Sequence, residues 1–318
     1  MKNLTGEQYA ASKYNELLVR EPATLLDFLM KEMTGISRNK AKDILQGRGI
    51  MVDRRLVTRY DFLLEPGMVV RVSKHRRKME LDSRWLRIVY EDKDIIVVEK
   101  QPGILSAAST GGQFCVKTIL DEYFVRRHFK CHAHVVHRLD RPVSGLVVFA
   151  RTSKALTRLN RMFAESEVHK TYWAIVKGEK ARSEESCDDG EWHTLEHWLV
   201  RNEKQNKSYA YDHEKPNARK AILKYRAIGH SDRYTLLEVN LMTGRHHQIR
   251  CQLAAMGCPI RGDLKYGAPR SNPDGSISLM SRRIEFVHPV SKENIEVEAP
   301  LPEDPLWQTL GASADQHR

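Results

Sequence analysis

One loop near the middle of the chain combines the residue types that could carry chemistry. It reads His137-Arg138-Leu139-Asp140-Arg141-Pro142-Val143-Ser144-Gly145. Its single carboxylate, Asp140, stands between Arg138 and Arg141, and nearby cations favour the ionised form of a carboxylate. An ionised carboxylate in a sheltered pocket can act as a nucleophile or as a base. An aspartate beside an arginine is also a common surface ion pair, so the spacing alone leaves both interpretations open.

The segments around this loop predict a rigid platform. Pro142 and Gly145 indicate a loop, and the apolar run Leu146–Ala150 predicts a buried strand that leaves it. Upstream, Leu86–Tyr90 and Ile95–Lys100 are β-rich runs separated by a polar turn, which is typical of a β-hairpin. Because the second run begins with consecutive apolar residues, we expect both faces of that strand to be covered.

The overall composition indicates a polyanionic partner. The 318 residues suffice for two domains of roughly 150 residues each. The chain has 52 Lys and Arg against 41 Asp and Glu, a net charge of +11, which favours nucleic acid; a charge that only aids solubility is the alternative. No apolar run approaches the roughly 18 residues of a membrane helix, and the chain begins without an apolar leader. We therefore expect a soluble, cytoplasmic protein that makes no membrane contact. We also expect it to be a monomer.

Five cysteines, an odd number without paired short spacings, favour a reducing compartment over a disulfide framework. The run Cys131-His132-Ala133-His134, with His137 close by, has the residue types of a metal site. No second Cys or His cluster follows at zinc-site spacing, so we predict that the protein binds no metal.

The first 80 residues are the most basic part of the chain, with 16 Lys and Arg against 10 Asp and Glu. Apolar spacing predicts one helix over Ala23–Met33 and, after Ser37, a second over Arg38–Gln46. Short strands are predicted at Ile50–Val52 and Met68–Val72. This arrangement resembles the S-four-like RNA-binding domain, which implies RNA contacts from cations at the start of the second helix: Arg38, Lys40 and Lys42. The alternative is a solvated basic face on an accessory domain.

The central loop closely resembles the signature loop of the RluA-type pseudouridine synthases. Further segments resembling that family occur in its order: Val97–Leu105, His169–Val176, Thr243–Arg250 and Gly257–Gly267. The resemblance covers about residues 85–300. It implies an α+β fold with a mixed, mainly antiparallel central sheet, flanking helices and a site in a cleft across the sheet, together with a small N-terminal α/β RNA-binding domain.

The resemblance also implies roles for individual residues. The family's essential carboxylate falls on Asp140, its ion-pair partner on Arg250 and its base-stacking tyrosine on Tyr172. Arg250 stands on a predicted helix that Gly257 ends, and Tyr172 on a predicted strand. A core tyrosine with a bonded hydroxyl would be the ordinary interpretation of Tyr172 on its own. Arg138 matches the arginine that takes the place of the flipped base. The remaining residues expected to bind substrate or RNA are Arg245, His137 and Gln248.

The implied reaction is the isomerisation of specific uridines to pseudouridine in structured RNA, most simply large-subunit ribosomal RNA, with transfer RNA as the alternative target. It needs no nucleotide cofactor and no metal. Asp140 would either add covalently to the ribose or first remove a ribose proton. A non-catalytic, ribosome-associated RNA-binding protein and a hydrolytic nuclease are the competing interpretations. The complete set Asp140, Tyr172 and Arg250 argues against the first, and the missing metal-binding carboxylates argue against the second.

The expected organisation is an N-terminal extension (1–22), an S-four-like domain (23–74), a basic linker (75–84), a catalytic domain (85–303) and a frayed tail (304–318). We also expect removal of residues 1–80 to weaken RNA binding and leave the catalytic fold intact. The sequence departs from the family pattern at Gln101, Val143 and His246, which stand where proline, threonine and a small hydroxyl residue are usual. A structural or RNA-facing role is expected for His246 and His247.

Overall fold

The computed structural model describes residues 14–33, 35–38, 41, 44–45, 50–53, 55–57, 59–73, 81, 83–108, 113–177 and 191–316. The α-helices bounded within these residues are α1 Leu25–Glu32, α2 Val116–Arg126, α3 Ser153–Ala164, α4 Gln248–Ala255 and α5 Pro305–Gln316. A short 3-10 helix spans Leu264–Tyr266. No helix in this described part is long and apolar enough to cross a membrane.

Most of the strands belong to one large sheet. The strands are β1 Tyr14–Leu18, β2 Ala23–Thr24, β3 Ile50–Val52, β4 Arg55–Leu56, β5 Leu63–Leu64, β6 Val69–Ser73, β7 Leu86–Glu91, β8 Ile95–Lys100, β9 His134–Val135, β10 Ser144–Ala150, β11 His169–Val176, β12 His193–Asn202, β13 Lys207–Tyr211, β14 Arg219–His230, β15 Thr235–Leu241, β16 Leu279–Val287 and β17 Asn294–Glu298. The main path runs β1-β6-β3-β4-β17-β16-β11-β15-β14-β12-β13. Off this path, β10 pairs with β16, β8 and β9, and β7 pairs with β8. Pairing is antiparallel except at β10–β16 and β4–β17.

The central strands are buried on both faces, as the apolar run in β8 predicts. Ile96 and Val98 pack into the core on one face of the sheet, and Ile95 and Val97 pack into the core on the other. Helix α2 covers the first face, and helices α3 and α5 cover the second. The fold is therefore α+β with a mixed, mainly antiparallel sheet, which confirms the expected class.

The part of the chain up to residue 73, called the N-terminal unit below, has its own small core and also extends the main sheet. Its helix α1 is capped by Thr24, whose hydroxyl accepts a hydrogen bond from the amide of Asp27. Strand β1 lies within the expected N-terminal extension, yet it pairs along its whole length with β6. Strand β4 pairs in parallel with β17, so this unit and the rest of the chain share one sheet. Most of the second predicted helix and of the basic linker lies outside the described residues.

The chain end differs from the frayed tail expected from sequence. Helix α5 packs against the second face of the sheet, with Trp307, Leu310 and Ala314 almost fully buried. These residues stand at positions i, i+3 and i+7, which is the spacing of an apolar helical stripe. The prediction of a frayed tail was wrong, because the sheet offers an apolar face on which this stripe packs.

Candidate active site

A cleft of about 610 Å³ crosses the central sheet. It lies between the loop before β10, the end of α3, strand β11 and the turn from β15 into α4. The cleft brings together every site residue expected in the catalytic part: Arg138, Asp140, Tyr172, Arg245, Arg250, His137 and Gln248. These residues come from segments that are far apart along the chain, so only the folded sheet places them side by side.

The backbone of the Asp140 loop is fixed from both sides. The hydroxyl of Ser106 donates to the carbonyl of Leu139 at 3.1 Å and accepts from the amide of Leu139 at 3.0 Å. The amide of Gly103 donates to the carbonyl of Arg141 at 2.8 Å. Asp140, between these two anchors, is held in one backbone position while its side chain stays 30% exposed to the cleft.

Gly145 is required where this loop enters β10. Its φ of +106° lies in the region that favours glycine, and a Cβ there would lie 2.3 Å from the carbonyl oxygen of Ser281. The close approach belongs to the short parallel pairing of β10 with β16. The absence of a side chain therefore lets the Asp140 loop sit directly against the centre of the sheet.

A fully buried lysine ties a second turn to the loop. The Nζ of Lys100 donates to the carbonyls of Gln101 and Ile104 at 3.0 Å each, and to that of Arg141 at 3.3 Å. Burial lowers the pKa of Lys100 from 10.5 to about 7, and the nearby Asp140 opposes this shift. Lys100 does not line the cleft, and its contacts with three carbonyls fit a structural anchor of the loop.

Arg250 carries the charge that faces Asp140. It lies on α4, is 5% exposed, and donates from Nη1 to Oδ2 of Asp140 at 2.9 Å. Its Nε and Nη2 donate to the two oxygens of the buried Asp263 at 2.7 and 2.9 Å. Burial alone would lower the pKa of Arg250, but the hydrogen bonds and charges of Asp263 and Asp140 outweigh it and raise the pKa. The guanidinium is thus a permanent cation in a fixed orientation.

Tyr172 lies on β11 opposite Ser281 of β16 and lines the cleft while being only 6% exposed. Burial, and then the negative charge of Asp140, raise the pKa of the Tyr172 hydroxyl. Its ring is therefore an uncharged, rigid aromatic surface beside Asp140. Such a surface can stack on a planar base.

Two arginines reach the mouth of the cleft. Arg138 is exposed and forms no ion pair with any residue that the structure describes, and Arg245 is exposed with its Nε donating to the carbonyl of Lys220. Arg201 of β12 also lines the cleft and was not predicted as a site residue. These cations make the entrance attractive to phosphate groups.

His137 and Gln248 are engaged by the protein itself. The Nε2 of His137 accepts from the amide of Val148 at 2.9 Å, and the ring stacks on Phe163. Burial lowers the pKa of His137 to about 3, so the ring is neutral. The side-chain amide of Gln248, 3% exposed, accepts from Thr243 and Arg245 and donates to Ile222. Both side chains line the cleft while bonded to the protein itself, and their contact with RNA stays a prediction.

The geometry of His247 was not foreseen from the sequence. Its Nε2 lies 3.4 Å from Oδ2 of Asp140, and its Nδ1 lies 3.0 Å from the hydroxyl of Tyr266. The sequence signal for it is the adjacent pair His246 and His247 immediately before the Arg250 helix. His247 also adopts the left-handed conformation, with φ of 53°, which no sequence pattern indicates.

The expected RNA contacts of the N-terminal unit are only partly described. Arg38 is exposed, whereas Lys40 and Lys42 lie outside the described residues.

One cluster in the described part of the chain has the residue types and spacing of a metal site: Asp92, Asp94 and His288. The Nδ1 of His288 accepts from the amides of Val290 and Ser291, so its ring proton is on Nε2, which faces Asp92 at 2.9 Å. Asp92 also accepts from the amides of Asp94 and Ile95. Both carboxylate oxygens of Asp92 and Nδ1 of His288 already accept hydrogen bonds, which fits a structural lock better than a cation site.

Comparison with known proteins places these observations in one family. The family model described as RNA pseudouridylate synthase matches residues 94–255. The chain is 30% identical over 315 residues to ribosomal large subunit pseudouridine synthase D of Vibrio cholerae, with 91% of each chain covered. It is also 30% identical over 247 residues to tRNA pseudouridine synthase C of Vibrio parahaemolyticus, covering 71% of this chain and 93% of that protein.

Solved structures show the same fold. Human RNA pseudouridylate synthase domain containing 4 superposes with a TM-score of 0.55 at 22% identity, covering 69% of this chain and 90% of that one. Human RNA pseudouridylate synthase domain containing 1 also superposes with a TM-score of 0.55, at 23% identity, covering 72% of this chain and 87% of that one.

Proposed function

Because this chain belongs to the RNA pseudouridylate synthase family, whose members isomerise uridine to pseudouridine in RNA, we propose that Asp140 is its reacting carboxylate and that its target is large-subunit ribosomal RNA. The observation that carries the first part is the ion pair of Asp140 with Arg250 in a cleft beside Tyr172. The permanent cation of Arg250 lies 2.9 Å from the carboxylate, and a nucleophile or base at this position must carry the negative charge that such a cation faces.

The reaction rearranges one nucleotide without a net gain or loss of atoms. The bond between N1 of uracil and C1′ of ribose breaks, the detached base turns, and its C5 bonds to C1′. The proton on C5 then passes to solvent, while N1 regains one. Asp140 acts at the ribose, either by bonding to C1′ or by removing a ribose proton. Both routes require the ionised carboxylate to face the sugar.

The remaining cleft residues suit the handling of a detached base. The ring of Tyr172 offers a surface on which uracil stacks while it turns. Arg138, exposed at the mouth, replaces the flipped base in the RNA helix. Arg245 and Arg201 attract the flanking phosphates. A filled cleft also keeps water from the ribose carbon, where attack would leave an abasic site.

The similarity over most of the chain favours ribosomal RNA as the target. The match to synthase D covers 91% of this chain and therefore includes most of the N-terminal unit, whereas the match to the transfer RNA enzyme covers 71%. We assign the N-terminal unit to RNA binding of the S-four-like kind, with Arg38 on its exposed surface. The same proposal includes a cytoplasmic location and a monomeric state. The thiols of Cys115, Cys131, Cys251 and Cys258 are all free, which is compatible with a reducing compartment.

Tritium release from RNA labelled at C5 of uridine tests the proposal. Wild-type protein should release tritium from large-subunit ribosomal RNA transcripts and not from transfer RNA. Asp140→Asn should abolish release, while Asp212→Asn, at a side chain 96% exposed just after β13, should not. No release from any structured RNA, or full release by Asp140→Asn, would contradict the catalytic assignment. Release from transfer RNA alone would replace the proposed target.

A further inference from the structure

The second contact of Asp140 is with a histidine that the proposed chemistry leaves unused. The Nε2 of His247 faces Oδ2 of Asp140 at 3.4 Å, the same oxygen that accepts from Arg250. The side chain of His247 is 6% exposed. Oδ1 of Asp140 has no hydrogen-bond partner among the described residues. The two oxygens of the carboxylate are therefore not equivalent.

The hydrogen-bond network assigns the proton of the His247 ring. The Tyr266 hydroxyl oxygen accepts from the amide of Ser208 at 2.9 Å and lies 3.0 Å from Nδ1 of His247. Burial raises the pKa of Tyr266, so this hydroxyl keeps its proton and can donate it to Nδ1. The single proton of a neutral imidazole is then on Nε2, directed at Asp140. The opposite tautomer would aim a nitrogen lone pair at a carboxylate oxygen, which is repulsive.

Burial keeps the ring of His247 neutral, and most of the charged groups around it act in the same direction. Burial lowers its pKa to about 3, and Arg250, His246 and Lys265 add to this effect. Asp140 alone acts in the opposite direction. The ring therefore offers a fixed N–H dipole at physiological pH, and it does not compete with Arg250 as a second cation.

The backbone and the neighbouring rings fix the ring of His247 in place. His247 is the residue before α4 and has φ of 53° and ψ of 28°, a left-handed conformation that a non-glycine residue keeps only where its surroundings demand it. Its ring stacks on His246 at 3.8 Å between centroids. His246 is held in turn by the hydroxyl of Ser208 at 2.9 Å. The stack positions Nε2 toward the cleft.

We propose that His247 is a positioning residue which, together with Arg250, holds Oδ2 of Asp140 and thereby leaves Oδ1 as the oxygen that reacts at the ribose. Tyr266 acts through His247 by setting its tautomer. The 3.4 Å separation between Nε2 and Oδ2 is long for a hydrogen bond, and we expect it to shorten when substrate fills the cleft, as such contacts commonly do. This proposal rests on the assignment of Asp140 as the reacting carboxylate.

The tautomer is measured directly by two-bond proton–nitrogen NMR of the protein labelled with ¹⁵N-histidine, with the His247 signals identified by their absence in His247→Gln. At pH 7 we expect Nε2 to carry the proton. Tyr266→Phe, which keeps the ring and removes the hydroxyl, should shift His247 away from this single tautomer. A proton on Nδ1 in the wild-type protein, or an unchanged tautomer in Tyr266→Phe, would overturn the proposal that Tyr266 sets the tautomer of His247.

Kinetics test the positioning role. His247→Leu should lower kcat by roughly tenfold or more with little change in KM, because misplacing a reacting group costs rate rather than binding. His247→Gln, which keeps an N–H near the Nε2 position, should recover most of kcat. The double variant that combines Tyr266→Phe with His247→Leu should have the same kcat as His247→Leu alone. His132→Leu, at a histidine 76% exposed, serves as the control and should behave as wild type.

The two proposals fail in different ways. A wild-type protein that releases no tritium overturns the proposed function. The NMR measurement still tests the tautomer of His247, because it does not depend on activity. An active wild type with equal kcat for His247→Leu overturns the positioning role. Equal decreases in His247→Leu and His247→Gln, with both proteins folded, also overturn it, since a donated N–H would then not matter.

Discussion

Asp263 accepts two hydrogen bonds from Arg250, from Nε at 2.7 Å and from Nη2 at 2.9 Å, and leaves Nη1 to reach Asp140. Asp263 is 1% exposed and does not line the cleft. The orientation of the cation in the active site is therefore determined by a carboxylate outside it. Planar, two-point pairing of this kind fixes a guanidinium more strictly than a single contact does.

Asp263→Asn should lower the free energy of unfolding by about 3–5 kcal/mol, because it leaves the buried charge of Arg250 without full compensation. Activity should fall as well, since Arg250 no longer keeps its fixed orientation. Chemical denaturation measures the first effect and tritium release the second. The matched control is Asp304→Asn, which alters a more exposed pair with Arg261 and should cost about 0–1 kcal/mol. Equal costs for the two variants would contradict this account.

Lys100 should make stability depend on pH in an unusual direction. Its pKa is about 7 in the folded protein and 10.5 in an unfolded reference, so between these values the unfolded chain binds more protons. Stability then rises with pH over this window, by at most about 1.4 kcal/mol per pH unit, and the cost of burying the charge is fully present below about pH 7.

Lys100→Met removes the titrating group while keeping an unbranched side chain of similar length. The stability of the wild type relative to Lys100→Met should therefore increase from about pH 7 to about pH 9 in urea denaturation. Activity at neutral pH should fall, because the carbonyls of Gln101, Ile104 and Arg141 no longer share a common donor. A stability difference that stays constant over this range would show that Lys100 remains charged in the folded protein.

Gly145→Ala should inactivate the protein and destabilise it by more than the strain of its backbone alone. A positive φ costs a non-glycine residue about 1–3 kcal/mol, and the clash of the new Cβ with the backbone of Ser281 adds to this. Gly67→Ala is the control, since Gly67 has a similar φ of +97° and nothing within 4 Å of an added Cβ. Melting temperatures of both variants separate strain from clash. Similar decreases in melting temperature for the two variants would show that the β10–β16 contact adjusts to accommodate the added methyl group.

The parts of the fold with regular patterns could be predicted from sequence. The β7–β8 hairpin, strand β10, and helix α3 beginning at Ser153 follow from alternating or helical apolar spacing. Tyr172, Ala174 and Val176 pack on one face of β11, as their alternation requires. The site residues lie in one cleft because loops at the ends of these elements meet there.

The features that could not be predicted depend on contacts between distant segments. The pairing of β4 with β17 joins Leu56 to Ile295, and nothing local in either strand indicates it. Burial decides that His137 and Gln248 contact the protein's own backbone. The strained conformation of His247 is imposed by its surroundings. Its approach to Asp140 therefore could not be predicted from the sequence.

The shared sheet changes what removal of the N-terminal unit should do. The sequence alone predicts that deletion of residues 1–80 leaves the catalytic fold intact. In the structure, deletion removes β4 from β17 and breaks the ion pair of Arg59 with Glu298 at 3.5 Å. We now expect the truncated protein to melt at a lower temperature as well as to bind RNA more weakly, so that truncation alone does not isolate RNA binding.

Charge-removing substitutions separate the two effects. Joint replacement of Arg38, Lys40 and Lys42 by alanine should leave the melting temperature and the rate at saturating RNA unchanged. Affinity should fall, and the slope of log K against log salt should become shallower by roughly 0.7–0.9 for each phosphate that the variant no longer binds. The matched control replaces exposed Arg126, Arg161 and Arg233, which removes the same charge at residues that do not line the cleft. If affinity and salt dependence decrease equally in both triple variants, the N-terminal unit contributes only overall charge, and its assignment as an RNA-binding module is wrong.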